Sequence, residues 1–253
     1  MSWDCSKRAQ ILEWHDTPEA SDEDLAVSFD FLKKTCRRIG LQREILKFVF
    51  SGINNCPHGR TVSVLDLNCG RGDLAGAIAD WTRRRKKDVQ LLGVDRFGRI
   101  VQMARESHGH KKEIVFDVRD FTDSSFRHAQ QFDFVISAFG LHHLSDSQLV
   151  PYFRTVNLLA KCGFIIGDFL RDSRALFLMS ILSRFWDEEI IRHDAPLSVR
   201  RGLTLREVRK YLNEARIENV QVKENFGIYF TVLAERRLLL KPKLSPVTGL
   251  LGT

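Results

Sequence analysis

Short apolar runs alternate with helical patterns of apolar positions along the chain from about Thr61 to Glu235. Short apolar runs are typical of buried strands, whereas apolar positions three and four residues apart are typical of helices that cover a sheet. Strands that alternate with helices pair in parallel through right-handed crossovers. The predicted strands are Val64–Leu67, Val89–Asp95, Glu113–Val118, a strand that begins at Phe132, Lys161–Phe169, Asn219–Lys223 and Ile228–Ala234.

The last two predicted strands are separated only by the short loop Glu224–Gly227. A loop of this length joins antiparallel strands, since parallel strands need a long crossover. The sequence therefore predicts an α/β fold with a mostly parallel, seven-stranded, doubly wound sheet and a C-terminal antiparallel hairpin.

The segments outside the alternating pattern predict the domain organisation. Residues 1–20 are polar with weak periodicity and predict a flexible N-terminal arm, whereas residues 21–60 contain two amphipathic helices. Residues 61–240 form the main domain. Residues 241–253 contain two prolines and two glycines and predict a disordered tail.

Charge and cysteine content narrow the class of protein. The net charge is +7, and the densest basic run, Arg83–Lys87, either binds nucleic-acid phosphates or is the solvated end of a helix. The five cysteines include no C-x-x-C pair, so we expect neither a disulfide framework nor a metal site. No apolar stretch is long enough for a membrane span and no signal region is present, so we expect a cytoplasmic protein.

The turn after the first strand carries the strongest chemical signal. Gly70 and Gly72 follow the strand and precede a helical pattern, so backbone N–H groups and the positive end of a helix dipole flank a crevice. Their spacing also fits the G-x-G-x-x-A pattern of NAD- and FAD-binding proteins. Asp66 and Asp73 oppose that alternative because two carboxylates repel a diphosphate. A ligand with an ammonium and a sulfonium would be attracted instead.

The stretch Val64–Leu74 resembles motif I of class I S-adenosylmethionine-dependent methyltransferases, and the resemblance extends to about Glu235. It implies a methyltransferase with S-adenosylmethionine as its cofactor. Asn68 stands where the family usually has its first glycine, and Asn is the non-glycine residue that best tolerates a left-handed backbone. The cofactor-binding residues that the motif implies are Asp66, Asn68, Gly70 and Gly72.

The same resemblance assigns side chains at the ends of the next two strands. Asp95 resembles the acid that binds the ribose hydroxyls, with Arg96 against the adenine, while the other interpretation of Asp95 is a helix N-cap. Asp120 stands where the family has an acid that accepts from the adenine amino group, and the backbone of Phe121 completes that contact. Asp117 takes this role only if the strand register slips.

The fourth strand ends near Ser137 and is followed by the pair His142 and His143. This stretch resembles motif IV, which faces the methionine half of the cofactor, and it lacks the tetrad with which nucleic-acid and glutamine amino-methyltransferases hold an amine. Ser137 is therefore a predicted cofactor contact. His143 is a candidate proton acceptor and His142 a candidate substrate contact. The alternative is that both histidines serve packing, with catalysis by alignment.

A polar insertion at about residues 171–203 resembles the substrate cap of bacterial small-molecule methyltransferases. His193 is a second candidate base, and Asp194, Arg200 and Arg201 are candidate substrate contacts. The alternative is a structural loop pinned by Asp–Arg pairs. The two N-terminal helices are implied to cover the cofactor and substrate pocket, or else simply pack on the sheet.

These signals together predict a small, hydrophobic methyl acceptor, such as a phenol, polyketide or quinone precursor, methylated on oxygen or carbon. The apolar helix Ser173–Trp186 and the missing amine-binding tetrad support this prediction. No nucleic-acid partner is expected, and an RNA methyltransferase is the first alternative. A cofactor-binding module without catalysis is the second, which the intact acids Asp66, Asp95 and Asp120 oppose.

Overall fold

The computed structural model describes residues 5–57, 59–122 and 131–236. Its strands are β1 (Val62–Leu67), β2 (Val89–Asp95), β3 (Ile114–Val118), β4 (Phe132–Ala138), β5 (Ala160–Phe169), β6 (Gln221–Asn225) and β7 (Tyr229–Glu235). They form one sheet in the order β3-β2-β1-β4-β5-β7-β6. The first five strands are parallel, and β7 is antiparallel to both β5 and β6. The predicted fold class is confirmed.

Helices pack on both faces of this sheet. The α-helices in the described ranges are α1 (Asp22–Ile39), α2 (Leu41–Asn55), α3 (Asp73–Arg84), α4 (Gly98–His108), α5 (Asp146–Leu159), α6 (Ser173–Leu182), α7 (Glu189–Arg201) and α8 (Leu205–Glu214). Capping boxes fix where α1, α5 and α8 begin, because a Ser or Thr side chain and the residue three positions later satisfy two N–H groups. None of these helices has the length and hydropathy that a membrane span needs.

Each face of the sheet has its own hydrophobic core. On one face α2 and α3 bury Ile45 and Ile78, and on the other face α5 buries Tyr152. Side chains alternate along a strand, so Val64 of β1 packs in the first core and Leu65 in the second. Burial on both faces explains why the strands are continuous apolar runs.

The carboxyl ends of β1, β2 and β4 meet at one edge of the sheet. Asp66 of β1 is in register with Gly93 on one side and with Ile136 on the other. The chain goes from β1 to β2 on one side and returns to β4 on the other, so the strand order reverses at this edge. Ligands bind open α/β sheets at such a point.

The structure differs from the sequence prediction at the N-terminus. A flexible arm is predicted for residues 1–20, but residues 5–20 pack against α7, and Glu13 is only 1% exposed. The segment includes a short 3₁₀ helix, Trp14–Asp16, and the Ala9 N–H donates to the Arg200 carbonyl at 2.9 Å. It is ordered because its acids meet histidines and arginines of the main domain. The tail predicted for residues 241–253 lies outside the described residues.

Candidate active site

A cleft opens where the strand order reverses, and it contains about 1070 Å³ of empty space, part of which is open solvent. The predicted site residues that line it are Asp66, Asn68, Gly70, Asp95, Arg96, Asp120, Phe121 and His143. Helix α1 lines the cleft with Phe29, Leu32 and Cys36. The cleft therefore combines polar groups at the strand ends with a mostly apolar surface on α1, where Lys33 is the charged lining residue.

The turn after β1 has the left-handed backbone that its sequence predicts. Asn68, Gly70 and Gly72 have φ angles of 58°, 53° and 76°. The expectation that Asn68 adopts a left-handed conformation is confirmed. A Cβ atom on Gly70 would lie 2.8 Å from the ring of Phe29, so only glycine leaves room for this approach. Gly72 is the N-cap of α3 and lies outside the cleft lining.

Two oxygens at the end of β1 are buried and have no hydrogen-bond partner among the residues that the structure describes. They are Oδ2 of Asp66 and Oδ1 of Asn68, and both residues line the cleft. Burial, with the nearby charges of Asp95 and Asp73, raises the pKa of Asp66 to about 8. An acceptor left unpaired in this way costs about 1–3 kcal/mol, so the site favours a ligand that brings N–H donors and positive charge.

Asp95 is held by two backbone donors at the end of β2. The Gly70 N–H donates to its Oδ2 and the Phe97 N–H to its Oδ1, both at 3.2 Å. Burial outweighs these hydrogen bonds and raises the pKa of Asp95. Beside it, the guanidinium of Arg96 lies 4.4 Å from the ring centroid of Phe97 and 3.6 Å from Asp16. The carboxylate is thus oriented before any ligand arrives.

Asp120 and Phe121 lie in the cleft lining beyond the end of β3. Oδ1 of Asp120 accepts from the Thr122 N–H at 2.8 Å and from its hydroxyl at 2.7 Å. The ring of Phe121 packs edge-on against Tyr152 with centroids 5.1 Å apart. The rival Asp117 lies outside the cleft lining and pairs with Arg119 at 2.7 Å. The acid with access to the cleft is therefore Asp120.

His143 lies in the cleft lining, after β4. Its Nδ1 is hydrogen-bonded to Oδ2 of Asp16 at 2.8 Å. Its ring centroid lies 4.0 Å from that of His142 and 4.9 Å from that of His15. Burial and the charge of His142 lower the pKa of His143, against the opposing effect of Asp16. The imidazole is therefore neutral near pH 7, the form that can accept a proton.

His142 and Ser137 lie behind the cleft rather than in its lining. His142 is 1% exposed, and its Nδ1 is 2.7 Å from Oδ1 of Asp168. The backbone N–H of His142 donates to the same carboxylate at 3.0 Å. Ser137 is fully buried. Asp168 at the end of β5 draws His142 inward, so the pair holds the turn after β4.

The polar insertion at residues 171–203 consists mainly of the helices α6 and α7 and is not a loop. Asp194 is buried and accepts from the Trp14 and His15 N–H groups at 2.8 and 3.0 Å and pairs with His193 at 2.7 Å. Arg201 donates to the Ile11 carbonyl at 2.7 Å. Asp194 and Arg201 thus bind the N-terminal segment. The structural alternative predicted from the sequence was that they pair with each other's residue types, Asp with Arg, within a loop.

None of His193, Asp194, Arg200 and Arg201 lies in the cleft lining. His193 is 48% exposed on α7, and the carbonyl of Arg200 accepts the N–H of Ala9. The structure therefore brings His143 to the cleft and leaves these four residues outside it.

A search of curated protein sequences finds no significant match. Residues 64–163, from β1 to β5, match the family model described as a methyltransferase domain. Over these residues the chain matches a methyltransferase domain, and the strand order of its sheet is that of the class I methyltransferase fold. The matched part of this methyltransferase contains the glycine turn, both acids at the ends of β1 and β2, and the pair of histidines after β4.

Solved methyltransferases share the fold of this methyltransferase. Human N-acetylserotonin methyltransferase in complex with SAM is 19% identical, with 91% of this chain and 63% of that chain covered and a TM-score of 0.61. The plantazolicin methyltransferase BamL, solved with a triazolic desmethylPZN analogue and SAH, is 14% identical, with 88% and 93% covered and a TM-score of 0.63. Magnesium protoporphyrin IX methyltransferase from Synechocystis PCC 6803 with bound SAH is 16% identical, with 79% and 85% covered and a TM-score of 0.53.

The sequence prediction missed the residues that the N-terminal segment adds to the methyltransferase site. His15 and Asp16 line the cleft, and Glu13 is buried directly behind them. Oε2 of Glu13 accepts from the Ser198 hydroxyl at 2.8 Å. The run Glu13-Trp14-His15-Asp16 has no periodicity that predicts burial, so only its density of titratable side chains could have pointed to a role.

The buried charges around these residues form an ion network. Burial opposes protonation of His15, but the hydrogen bond to Asp194 and the charges of Glu13 and Asp16 outweigh it and raise its pKa to about 9. Arg201 lies 3.7 Å from Glu13 and 3.9 Å from Asp16. Three sets in the described chain also bring possible metal-ligand atoms within 4.8 Å: Glu13/His142/His143, His15/Asp16/His143 and Glu13/His15/Asp194. Because an imidazolium and an arginine already supply positive charge, we interpret the cluster as ion pairs rather than a metal site.

Proposed function

We propose that this methyltransferase binds S-adenosylmethionine in the cleft and transfers its methyl group to a small, hydrophobic acceptor. The observation that carries the proposal is the pair of unpartnered oxygens on Asp66 and Asn68 at the rim of a left-handed glycine turn. A cationic ligand relieves both, whereas a diphosphate would meet two acids. The neighbours solved with SAM or SAH support the same choice.

Each part of the cofactor has candidate partners among the cleft residues. Asp66 and Asn68 would hold the ammonium of the methionine half, and Asp95 would accept from the two ribose hydroxyls with its outward lone pairs. Asp120 and the backbone of Phe121 would hold the adenine edge, with Gly70 below the sugar. When bound, the cofactor supplies a methyl group on a positively charged sulfur. The chain's own work is alignment of the two reactants and exclusion of water.

The acceptor side of the cleft favours a hydrophobic molecule. Phe29, Leu32 and Cys36 of α1 line the cleft, and Phe139 after β4 adds to the apolar surface. Phe139 has a φ of 56°, a strained backbone for an aromatic residue that is typical of a ligand-binding position. The acceptors after which two of the neighbours are named, magnesium protoporphyrin IX and N-acetylserotonin, are also small organic molecules.

Of the two histidines considered as the proton acceptor, we assign the role to His143. It lines the cleft, whereas His193 lies on α7 outside the lining. His142, Asp194 and Arg201 then support the site from behind and do not touch the acceptor. An imidazole with a neutral resting state contributes about 10²–10⁴-fold as a general base.

The RNA alternative finds no comparable support. The basic run Arg83–Lys87 lies at the end of α3 and outside the cleft lining, and Arg83 pairs with Glu113 at 3.1 Å. These cations complement the helix dipole, as the second interpretation of the run has it. Within the described residues Cys36, Cys56, Cys69 and Cys162 form no disulfide, which suits a reducing compartment, and we propose the cytoplasm as the location.

Calorimetric titration tests the cofactor. We expect S-adenosylmethionine and S-adenosylhomocysteine to bind the wild-type protein, NAD not to bind, and Asp95→Ala to weaken S-adenosylmethionine binding by at least about tenfold. Asp187→Asn, at a fully exposed position, is the matched control. Incubation with methyl-labelled cofactor and an extract of small metabolites then identifies the acceptor. Tight binding of NAD without binding of S-adenosylmethionine would contradict the proposal.

A further inference from the structure

The ring of His143 is fixed from several sides. Its Nδ1 is bonded to Asp16, and the rings of His142 and His15 pack against it. Its side chain is 14% exposed and lies in the cleft lining. In the described chain Nε2 of His143 makes no hydrogen bond to another residue. This nitrogen is therefore the one that a molecule in the cleft can reach.

Asp16 reaches His143 from a segment 127 residues away in the sequence. Its carboxylate is buried, and Arg96, His15 and Arg201 lie 3.6, 3.8 and 3.9 Å from it. Burial alone would raise the pKa of Asp16, but His143, His15 and Arg201 hold it well below its usual range. Asp16 is thus a permanent carboxylate, which accepts from Nδ1–H of His143.

The backbone around Asp16 is itself anchored to α7. Asp194 accepts the N–H groups of Trp14 and His15, and the Thr17 N–H closes the 3₁₀ turn on the Trp14 carbonyl at 2.9 Å. The side chain of Asp16 therefore follows the position of a rigid helix in the main domain. Anchoring of this kind is what a precisely placed functional group needs.

Asp16 and His143 form a carboxylate–imidazole pair. A carboxylate on Nδ1–H fixes the tautomer in which Nε2 is free, and it stabilises the imidazolium that forms when Nε2 takes a proton. Burial and the positive charge of His142 lower the pKa of His143 and keep the resting imidazole neutral, while Asp16 and Glu13 oppose them. The pair is therefore poised to accept one proton and to hold it.

We propose that Asp16 and His143 form a proton-accepting dyad for an acidic hydroxyl of the phenol class, with Asp16 as its positioning residue. Nε2 of His143 takes the hydroxyl proton, and the electron pair of that O–H bond forms the new bond from oxygen to the methyl carbon. The electron pair of the former sulfur–methyl bond stays on sulfur. This inference rests on the proposed function and selects oxygen over carbon as the methylated atom.

Nitrogen NMR of the histidines tests the dyad without any acceptor. In ¹⁵N-histidine-labelled protein bound to S-adenosylhomocysteine, we expect His143 as the neutral Nδ1–H tautomer at pH 7. Asp16→Asn should shift His143 toward the Nε2–H tautomer, whereas the surface control Asp187→Asn should leave its signals unchanged. An unchanged tautomer in Asp16→Asn would overturn the positioning role.

Methyl transfer to two phenol probes supplies the second arm. With an alkylphenol, which is protonated at neutral pH, we expect His143→Gln to lose about 100-fold or more and Asp16→Asn about tenfold or more. With a dinitrated phenol, which is already ionised at neutral pH, both losses should largely disappear. His110→Gln, an exposed histidine, is the matched control. Equal losses with both phenols would show a structural role and contradict the dyad.

The outcomes separate this inference from the proposed function. A protein that binds no S-adenosylhomocysteine refutes both. A protein that binds it and methylates carbon or nitrogen of the extracted acceptor, with no transfer to hydroxyls, keeps the function and loses the dyad. If Asp16→Asn fails to fold by circular dichroism, the comparison of the two phenols in His143→Gln decides the matter alone.

Discussion

The backbone N–H of Gly70 donates a hydrogen bond of 3.2 Å to the carboxylate of Asp95. This contact joins the turn after β1 to the end of β2, so the two parts of the proposed cofactor site form one unit. Gly70 has room for the contact because it lacks a Cβ atom, which would lie 2.8 Å from Phe29. The geometry of the turn and the orientation of the acid therefore depend on each other.

Gly70→Ala should uncouple the turn from Asp95. A left-handed alanine costs about 1–2 kcal/mol of stability, and the contact with Phe29 displaces the backbone further. We expect S-adenosylmethionine affinity to fall by at least about tenfold in calorimetry. Gly59→Ala is the matched control, because Gly59 also has a positive φ but a Cβ atom added there would have no neighbour within 4 Å. Equal effects of both variants on affinity would show that the coupling is absent.

Asp66 should release a proton when the cofactor binds. Its pKa of about 8 leaves it mostly protonated in the free protein at pH 7, and a bound ammonium favours the carboxylate. Calorimetry in buffers of different ionisation enthalpy should show close to one proton released per cofactor. Asp66→Asn should remove this release, and Asp95→Asn tests the other buried acid. An identical proton count in wild type and Asp66→Asn would contradict the assignment.

The raised pKa of Asp66 also makes the free energy of unfolding depend on pH. The protonated form is favoured in the folded state, so its contribution is complete below the ordinary pKa of 3.8 and is lost as the pH rises through about 8. Denaturant unfolding of the cofactor-free protein should therefore show a steeper loss of stability over this range in wild type than in Asp66→Asn. Parallel pH curves for the two proteins would argue against a buried, protonated Asp66.

Substitutions of Asn68 distinguish the role of its backbone conformation from the role of its side chain. Asn68→Gly removes the strain of a left-handed φ and should hold or raise the free energy of unfolding, whereas Asn68→Ala should lower it by about 1 kcal/mol. Both variants lose Oδ1 and should bind S-adenosylmethionine more weakly. Urea unfolding measures the change in stability, and calorimetry measures the change in affinity for S-adenosylmethionine. Undiminished affinity in both would mean that Oδ1 is not a cofactor contact.

His15 should make the stability depend on pH. Its folded-state pKa of about 9 exceeds the ordinary 6.5, so its contribution is complete below about pH 6.5 and is lost as the pH rises through 9. The shift corresponds to about 3 kcal/mol at most. Denaturant unfolding of His15→Gln should therefore show a flatter curve between pH 6.5 and 9 than wild type. His110→Gln should keep the wild-type slope, and a wild-type slope in His15→Gln would refute the network.

Local sequence patterns predicted the sheet and the cleft residues that we propose to bind the cofactor. Asp66, Asn68, Gly70 and Asp95 belong to a strand–turn–helix unit and the strand beside it, and both follow from apolar periodicity and turn chemistry. Residues at the ends of neighbouring parallel strands must lie together, so their convergence follows once the strands are known.

The acceptor half depended on contacts between segments far apart in the sequence. The sequence makes His143 the candidate proton acceptor and His142 a candidate substrate contact, but no local feature shows which of the two rings lines the cleft. Asp168 draws one ring inward, and Asp16 holds the other at the cleft. His193 looked equivalent in sequence and lies outside the cleft lining.

The sequence by itself determined the strands, the left-handed turn after β1 and the acids at the strand ends. These features depend on the spacing of residues over a short stretch of chain. Only the tertiary structure decided that Glu13, His15 and Asp16 complete the site. Ion pairs with Arg201 of α7 and a hydrogen bond to His143 after β4 stabilise the burial of the acids Glu13 and Asp16. A polar segment without periodicity carries no local sign of such partners, since ion pairing depends on distance in space and not along the chain.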